Sequence, residues 1–204
     1  MKTKLLLLPA VAGALLAFSG PSFADVAVQA AADLNVRAGP GPQYPVIGVI
    51  GAGQGTTLRG CLEGSKWCSV ADSGGDGWVY SDYLVGDFGG QEIVLSARPA
   101  DSGVMVVDPP AAGGAGDVVI DGTTGAIVAG EAMTAIEPPG AVRTYVTDHR
   151  IEPVYLDGEV VVGAGLPETV ELTEIPDYEY RYVYVNGQPV LVEPSTRRVV
   201  YVVR

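Results

Sequence analysis

Hydrophobic and polar residues alternate strictly near the C-terminus of the chain. Tyrosines stand at positions 178, 180, 182 and 184, and charged or aliphatic residues stand between them. A period of two predicts a β-strand, since successive side chains of a strand point to opposite faces of the sheet. Asn186-Gly187 follows, and this dipeptide favours a two-residue hairpin turn with positive φ at both positions. Such a turn pairs Tyr182 with Leu191.

The two faces of this predicted hairpin differ in character. Leu191 and Glu193 lie on the tyrosine face. The opposite face is aliphatic and consists of Val183, Val190 and Val192. Pro189 lacks a backbone donor, so we expect the ladder to be frayed or bulged there. With a third run at 199–203, the region is predicted as a β-hairpin or meander.

A second series of short strand-like runs lies between residues 34 and 84. Leu34 and Val36 alternate with polar neighbours and open the series. Residues 38–42 are Ala-Gly-Pro-Gly-Pro, which must form a loop because its prolines lack donors. Further strands are predicted at 46–50, 56–62, 67–71 and from 78 onward, with turns at 51–55 and 72–77. About five short strands with turns this frequent are typical of a small closed barrel or sandwich.

Residues 88–142 differ in composition from both flanking regions. Glycine is frequent, prolines occur at 99, 109, 110, 138 and 139, and Arg98 is the only basic residue. Apolar runs such as 92–95 and 104–107 have the length of extra strands. The glycine and proline content instead favours a flexible, acidic linker.

Residues 1–24 have the pattern of a cleavable signal peptide. Lys2 and Lys4 precede an apolar run from Leu5 to Phe18, and Ser22-Phe23-Ala24 offers small residues at −3 and −1 of a cut after Ala24. A membrane anchor is less favoured, because a span needs about 20 apolar residues. We therefore expect a periplasmic or secreted protein with no membrane span after cleavage.

The charge of the chain excludes one class of partner. From Asp25 onward it carries 24 acidic residues against the 12 basic ones less Lys2 and Lys4, a formal charge of −14. An acidic surface repels phosphate backbones and gains no counterion release from them. We expect no nucleic acid partner.

Cys61 and Cys68 are the two cysteines of the chain. They flank a segment that is predicted to be a hairpin turn, and cysteines paired across a hairpin lie within reach of a disulfide. In an oxidising compartment such a bond persists and stabilises a small core. A metal or redox pair lacks its other ligands, because the spacing is not that of a CxxC motif and His149 is far away in sequence.

Motifs of catalysis are missing from the sequence. With one histidine and two cysteines that are predicted to pair, no catalytic triad can be assembled. No phosphate loop, dinucleotide fingerprint or zinc motif occurs, so we expect no cofactor and no metal. The many carboxylates are compatible with glycoside hydrolysis, but an acidic solvated surface explains them equally well. We expect a protein that is not an enzyme.

The motifs in the first region carry a family resemblance. Leu34-Asn35-Val36-Arg37-Ala38-Gly39-Pro40 opens it, Trp67-Cys68-Ser69-Val70 follows, and Gly77-Trp78-Val79-Tyr80-Ser81-Asp82-Tyr83-Leu84 closes it. This series resembles a bacterial SH3 (SH3b-type) domain, which implies a small β-barrel over residues 25–87. The resemblance also implies a binding role in the cell envelope, often towards the peptide part of peptidoglycan.

An SH3b domain of this kind implies a shallow groove that is lined by aromatic residues. The candidate ligand-binding residues are Tyr44, Arg37, Trp67, Tyr80, Asp82 and Tyr83. Trp78 is expected to fill the barrel core instead, and some of the tyrosines have the same alternative. The expected partner is peptidoglycan or another envelope protein, the latter docking on the tyrosine-rich sheet or on an edge strand. A structural or stress-related envelope protein without a small ligand is the remaining alternative.

The C-terminal region carries a second resemblance. Tyr184-Val185-Asn186-Gly187-Gln188-Pro189-Val190-Leu191-Val192 and Thr196-Arg197-Arg198-Val199-Val200 resemble an uncharacterised domain of secreted alphaproteobacterial proteins, often found behind SH3b modules. The expected fold is therefore mainly β. An SH3-like domain at 25–87 is joined by the linker 88–142 to a β-rich domain at 143–204.

Overall fold

The computed structural model describes residues 26–72, 75–108, 127 and 133–204. The predicted signal peptide and most of the linker between 109 and 132 lie outside the described residues. Within them the strands are Val26–Ala30 (β1), Leu34–Arg37 (β2), Val46–Ile50 (β3), Gly55–Cys61 (β4), Trp67–Asp72 (β5), Gly75–Tyr80 (β6), Leu84–Asp87 (β7), Glu92–Val94 (β8), Thr173–Glu174 (β9), Arg181–Val185 (β10), Gln188–Glu193 (β11) and Arg198–Val202 (β12). The helices are Gly140–Asp148 (α1) and two short 3-10 helices, Ser81–Tyr83 and Leu95–Ala97.

The first eight strands form one antiparallel sheet in the order β3-β2-β6-β5-β4-β1-β7-β8. Alternate residues of these strands are aliphatic and fully buried, as Leu34, Val70 and Val79 illustrate. The strands therefore enclose a core of their own, although β3 and β8 at the two ends are not hydrogen-bonded to each other. The turn predicted at 72–77 is too long. Ala71 pairs with Asp76, so β5 and β6 extend into the predicted turn.

The predicted disulfide is confirmed. Cys61 lies directly opposite Cys68 in the hairpin of β4 and β5, with Cα atoms 3.9 Å apart, and the two sulfurs are bonded. Gly60, the residue before the bridge, is in close contact with a later part of the chain. A Cβ at Gly60 would lie 2.7 Å from the Met105 carbonyl oxygen and 2.6 Å from a Val107 methyl group.

Residues 92–107, which we predict as part of the linker, instead add to the first domain. Strand β8 pairs with β7, and Leu95 is fully buried in the core. The Cys61 amide donates to the Met105 carbonyl (2.9 Å), and the Val107 amide donates to the Cys61 carbonyl (3.0 Å). The segment is thus held by strand pairing, backbone hydrogen bonds and the burial of Leu95, although Val94, Met105 and Val106 stay exposed. The average composition of 88–142 does not express these contacts.

The C-terminal sheet has the order β12-β11-β10-β9 and the register that the sequence predicts. Tyr182 pairs with Leu191, and the turn residues Asn186 and Gly187 have φ values of 52° and 80°. The irregularity that we expect at Pro189 occurs slightly later, between Leu191 and Val192, in the pairing with β12. The predicted mainly β fold, with one β domain near each end of the chain, is confirmed.

Each face of this second sheet is covered. Helix α1, which the sequence analysis does not predict, places Val142 and Val146 on the tyrosine face. The Tyr182 hydroxyl donates to the His149 carbonyl (2.8 Å), and the Tyr184 hydroxyl donates to the Val146 carbonyl (2.9 Å). The tyrosine face is therefore occupied by the chain itself.

The valine face joins the core of the first domain. Val183, Val190 and Val192 belong to the same buried cluster as Leu34, Trp67 and Leu84. Buried residues from the segment before β9 complete this cluster, and they include Leu156, Val160 and Val161. One continuous core therefore spans both domains. No helix among the described residues is long and apolar enough to cross a membrane.

Candidate functional site

Three of the predicted ligand residues, Arg37, Trp67 and Tyr80, share the outer face of β2, β5 and β6. Arg37 lies opposite Trp78, and Trp67 lies opposite Tyr80. Directly opposed residues of antiparallel strands point to the same side of the sheet, and alternate residues repeat that side. Asn35 therefore lies on this face too. It is the face that points away from the Leu34 and Val79 core.

Aromatic rings make edge and tilted contacts at one end of this face. The rings of Trp67 and Tyr80 meet edge to face with centroids 5.3 Å apart, and Tyr80 and Tyr83 are tilted at 6.5 Å. Lys66 lies 5.8 Å above the Tyr80 ring and donates to the Asp82 carboxylate at 2.8 Å. Trp67, Tyr80 and Tyr83 are nevertheless buried, so a further part of the molecule covers them.

Arg37 lies at the centre of the face, is 1% exposed and uses donors in two directions. Towards the C-terminal domain, Nε donates to Oε2 of Glu159 and Nη2 donates to Oε1 of the same carboxylate (2.8 Å). Towards the first domain, Nη1 donates to the carbonyls of Pro42 (2.9 Å) and Tyr44 (2.8 Å). A bidentate arginine–carboxylate pair of this kind fixes both partners in orientation.

Glu159 is itself fully buried and is held from three sides. Its Oε1 atom accepts from the Asn35 amide (3.0 Å) and from the backbone N–H of Val160 (2.9 Å), as well as from Arg37. The Asn35 amide also donates to Gln188 Oε1 at 2.7 Å. Asn35 Oδ1 is buried and has no hydrogen-bond partner among the residues that the structure describes, so the polar cluster is satisfied there except at this atom.

The segment that carries Glu159 is anchored by the hairpin turn of the C-terminal sheet. Asn186 Oδ1 accepts from the Leu156 amide (2.9 Å), and Asn186 Nδ2 donates to the Gly158 carbonyl (3.1 Å). The turn side chain thus fixes the backbone on both sides of Asp157. Residues 156–160 are thereby held against the aromatic end of the first domain.

The pKa values of the tyrosines beneath this segment are raised. Burial raises the pKa of the Tyr83 hydroxyl above its ordinary value, and the Asp82 and Glu159 carboxylates raise that pKa further. Burial likewise raises the pKa of Tyr80, with added contributions from Asp157 and Asp82. Two carboxylates of the C-terminal domain therefore lie close enough to act on tyrosines of the first domain.

The structure separates the predicted ligand residues into two groups. Arg37, Trp67, Tyr80 and Tyr83 come together on one face, but the C-terminal domain covers them. Trp78 is buried, but it lies on the outer face opposite Arg37 and not in the barrel core that we expect for it. Tyr44 and Asp82 stay partly exposed, and Asp82 is engaged in its pair with Lys66. Of the predicted ligand aromatics, Tyr44 is the one with surface available to a ligand.

Tyr44 lies in the loop between β2 and β3. Its ring lies on the backbone of Gly39, where a Cβ would be 2.3 Å from the ring atom Cδ1. The Tyr44 amide donates to the Gly41 carbonyl (3.2 Å), and the Ala38 amide donates to the Pro45 carbonyl (3.0 Å). With Arg37 holding two of its carbonyls, the loop is fixed in one conformation.

An apolar edge adjoins this loop. Strand β3 lies at one end of the eight-stranded sheet, and its Ile47 and Val49 side chains are 57% and 37% exposed. The Ile47 side chain reaches towards Gly77 at the start of β6. Tyr44 and the exposed side of β3, which follow each other along the chain, are the candidate binding surface, which we call the Tyr44 surface.

The two cysteines and His149 make contacts within the fold. Both cysteines are in the disulfide. His149 stacks on Tyr145 with ring centroids 4.0 Å apart, and its Nδ1 lies 2.9 Å from the Tyr145 carbonyl. Within the part of the chain that the structure describes, no three histidine, cysteine or acidic residues are grouped as metal ligands.

Sequence reasoning missed the residues that cover the aromatic face. Glu159 precedes three valines, and a carboxylate that begins an apolar run is compatible with a strand end in solvent. Asn35 and Gln188 lie on predicted strands and are likewise compatible with solvated faces. The one sequence signal of this cover is Arg37. A charged residue that is grouped with large aromatic residues needs a partner of opposite charge if it is buried, and a carboxylate is the expected one.

Comparison with known families confirms both resemblances. The family model of the bacterial SH3 domain matches residues 32–85, and that of a domain of unknown function (DUF1236) matches residues 145–204. No curated protein and no solved structure matches the chain. The matched SH3 domain contains Tyr44 and Arg37, and the second matched domain contains Glu159 and Gln188.

Proposed function

We propose that this is a non-enzymatic binding protein of the cell envelope whose bacterial SH3 domain recognises the peptide part of peptidoglycan at the Tyr44 surface. The matched SH3 domain indicates a binding role, often one related to the cell wall. One observation carries the choice of surface. Tyr44 is partly exposed in a loop that Arg37 and Gly39 hold in place.

A fixed aromatic ring suits this kind of recognition. A tyrosine covers apolar ligand area at low entropic cost, and its hydroxyl adds a hydrogen bond. Because the loop is already ordered, binding does not have to restrict it further, and more of the contact energy appears as affinity. The acidic charge of the chain disfavours polyanionic wall polymers and leaves the peptide as the better ligand class.

The location of the protein is part of this proposal. A disulfide and a bacterial SH3 domain fit a place outside the cytoplasm. We propose that residues 1–24 direct the chain there, that the cut follows Ala24, and that the mature protein is periplasmic or secreted. The absence of a catalytic role is proposed on the engagement of both cysteines and of His149 within the fold.

Co-sedimentation of residues 25–204 with purified peptidoglycan sacculi tests the proposal. We expect the wild-type chain to pellet and Tyr44→Ala to lose affinity by at least about fivefold, as for an interface residue worth about 1 kcal/mol. Tyr180→Ala is the matched control, since Tyr180 is a partly exposed tyrosine of the other domain. Equal binding by all three proteins would place the contact elsewhere, and no pelleting of wild type would end the peptidoglycan proposal.

A protein partner is the second candidate function, and the free edge of β3 favours it. An edge strand with exposed Ile47 and Val49 offers backbone groups and apolar side chains to an added strand. The tyrosine-rich face, by contrast, is covered by α1. We expect Ile47→Lys to abolish capture of an envelope protein by this edge. Loss of sacculus binding in Tyr44→Ala would decide for the wall, whereas capture of an envelope protein that Ile47→Lys abolishes and Tyr44→Ala does not would decide for the edge strand.

A further inference from the structure

The guanidinium of Arg37 joins two parts of the molecule that are distant in sequence. Two of its nitrogens hold the Glu159 carboxylate, and the third holds the carbonyls of Pro42 and Tyr44. The group is planar and rigid, so its donors cannot be re-aimed independently of one another. A change on the Glu159 side therefore changes the geometry that is offered to the Tyr44 loop.

The C-terminal domain determines where Glu159 lies. Asn186 fixes the backbone of 156–158, and the Val160 amide and Asn35 fix the carboxylate itself. Glu159 is thus positioned by a hairpin turn of one domain and bound by an arginine of the other. Every side chain in this relay is buried.

The cover over the aromatic face is a permanent part of the fold. Leu156 and Val160 are fully buried in the same core as Trp67 and Leu34. Lifting this segment to admit a ligand would expose a continuous apolar core to water, unlike the small polar contacts that let domains move apart. Arg37 therefore acts on a ligand through the loop that it holds and not by contact.

We infer that Glu159 of the C-terminal domain is a positioning residue for the Tyr44 surface and that it acts through Arg37. The domain of unknown function is then the support of the SH3 binding loop. Its contribution to binding is to supply the carboxylate that orients Arg37. The effect on ligand affinity rests on the proposed function, whereas the effect on loop order does not.

Native-state amide exchange of residues 38–45 in the 25–204 chain tests the relay without any ligand. We compare Glu159→Gln and Arg37→Lys with Gln188→Ala, which removes an interdomain hydrogen bond without touching Arg37. Glu159→Gln removes the charge with little change of shape, and Arg37→Lys keeps the charge but loses the fork of donors. Glu171→Gln, at an exposed position, controls for the change in net charge.

We expect both relay variants to speed exchange of the Ala38 and Tyr44 amides by about tenfold or more, relative to amides of β5 in the same sample. Gln188→Ala and Glu171→Gln should leave that ratio unchanged. Normalisation to β5 separates loop release from a general loss of stability. If Glu159→Gln proves unable to fold, Arg37→Lys carries the test alone. An unchanged ratio in the folded relay variants would overturn the inference.

Sacculus binding supplies the second readout. We expect Glu159→Gln to lose affinity to about the same extent as Tyr44→Ala, at least about fivefold, and Gln188→Ala to bind as wild type does. Tighter binding by Glu159→Gln would mean that the covered aromatic face is the ligand site, and it would overturn the positioning role. If wild type does not bind sacculi, the proposed function fails, and the exchange ratio still decides the inference.

Discussion

Replacing Glu159 by alanine leaves the Arg37 guanidinium buried without its carboxylate. Removing one partner of a buried ion pair costs about 3–5 kcal/mol, because the remaining charge stays away from water without compensation. Arg37 and Glu159 are 1% and 0% exposed, so the guanidinium has no bulk water beside it to compensate its charge when the carboxylate is removed. Arg37 keeps the carbonyls of Pro42 and Tyr44, which places the expected loss near the lower end, at about 3 kcal/mol.

A double replacement measures the interaction energy between Arg37 and Glu159 separately from the contacts that each residue makes with its surroundings. Arg37→Met with Glu159→Leu removes both charges and keeps most of the apolar volume, and such exchanges are often neutral or stabilising. Pro42 and Tyr44, whose carbonyls lose their donor, are partly exposed residues, so we expect water to replace the guanidinium there. We therefore expect the double variant to be more stable than either single variant, with a coupling energy of at least about 2 kcal/mol.

Urea unfolding of residues 25–204, followed by tryptophan fluorescence, measures both effects. Trp67 and Trp78 are the two tryptophans of the chain and lie in the SH3 domain, whereas Glu159 lies in the other domain. Since one core spans both domains, fluorescence and far-UV circular dichroism should give one coincident transition. With a slope of about 2 kcal/mol/M, Glu159→Ala should lower its midpoint by about 1.5 M.

Two results would refute this reasoning. If Glu159→Ala leaves the midpoint by tryptophan fluorescence at the wild-type value but lowers the midpoint by far-UV circular dichroism, the domains unfold independently. If the losses of the two single variants simply add in the double variant, the ion pair has no coupling energy. Either result would also remove the physical basis for a relay from Glu159 to the Tyr44 loop.

Three further predictions follow from the described contacts. Reduction of the Cys61–Cys68 bridge, which closes a short loop of seven residues' separation, should lower the free energy of unfolding by about 2.5 kcal/mol, and an unchanged urea midpoint in dithiothreitol would contradict this. Tyr184→Phe should cost about 1–2 kcal/mol, because the buried Val146 carbonyl loses its donor, whereas Tyr201→Phe, a partly exposed tyrosine of the same sheet, should be close to neutral. The raised pKa values of Tyr80 and Tyr83 favour their neutral forms in the folded state, so their contribution to stability is complete below about pH 10 and is lost as the pH rises further. Alkaline titration of tyrosinate absorbance should show these two groups ionising only on unfolding, and early ionisation would disprove their burial.

Local patterns predict the C-terminal sheet well, because its constraints are local. A two-residue turn at Asn186-Gly187 leaves a single register for the strands beside it, and Tyr182 opposite Leu191 is its direct consequence. The hairpin that holds Cys61 opposite Cys68 follows from the same kind of evidence. In both places the contacts that determine the structure lie within about ten residues of one another along the chain.

Helix α1 shows what local patterns cannot supply. Its sequence, Gly-Ala-Val-Arg-Thr-Tyr-Val-Thr-Asp, is short and rich in β-branched residues, which have modest helix propensity. Val142 and Val146, four residues apart, form its buried side. The tyrosine face of the sheet requires a cover with backbone carbonyls for Tyr182 and Tyr184, and this tertiary demand outweighs the propensity.

The covered aromatic face escaped prediction for a related reason. On β2, Asn35 and Arg37 alternate with Leu34 and Val36, and such an alternation is typical of a strand with one side in solvent. A family resemblance that covers one domain at a time supports the same interpretation, because it contains no information about a neighbour. In the structure this side of β2 is buried instead. Arg37 can be buried there because the Glu159 carboxylate compensates its charge.

That same carboxylate restricts how the two domains can fit together. A purely apolar contact between a valine face and an aromatic face tolerates sliding, because apolar attraction has no direction. Arg37 and Asn35 donate to the Glu159 carboxylate only when it lies in one position, and Asn35 also donates to Gln188 Oε1. A shift of even one residue would leave a buried charge unpaired. The polar cluster therefore selects one arrangement of the shared core, and with it one conformation of the loop that presents Tyr44.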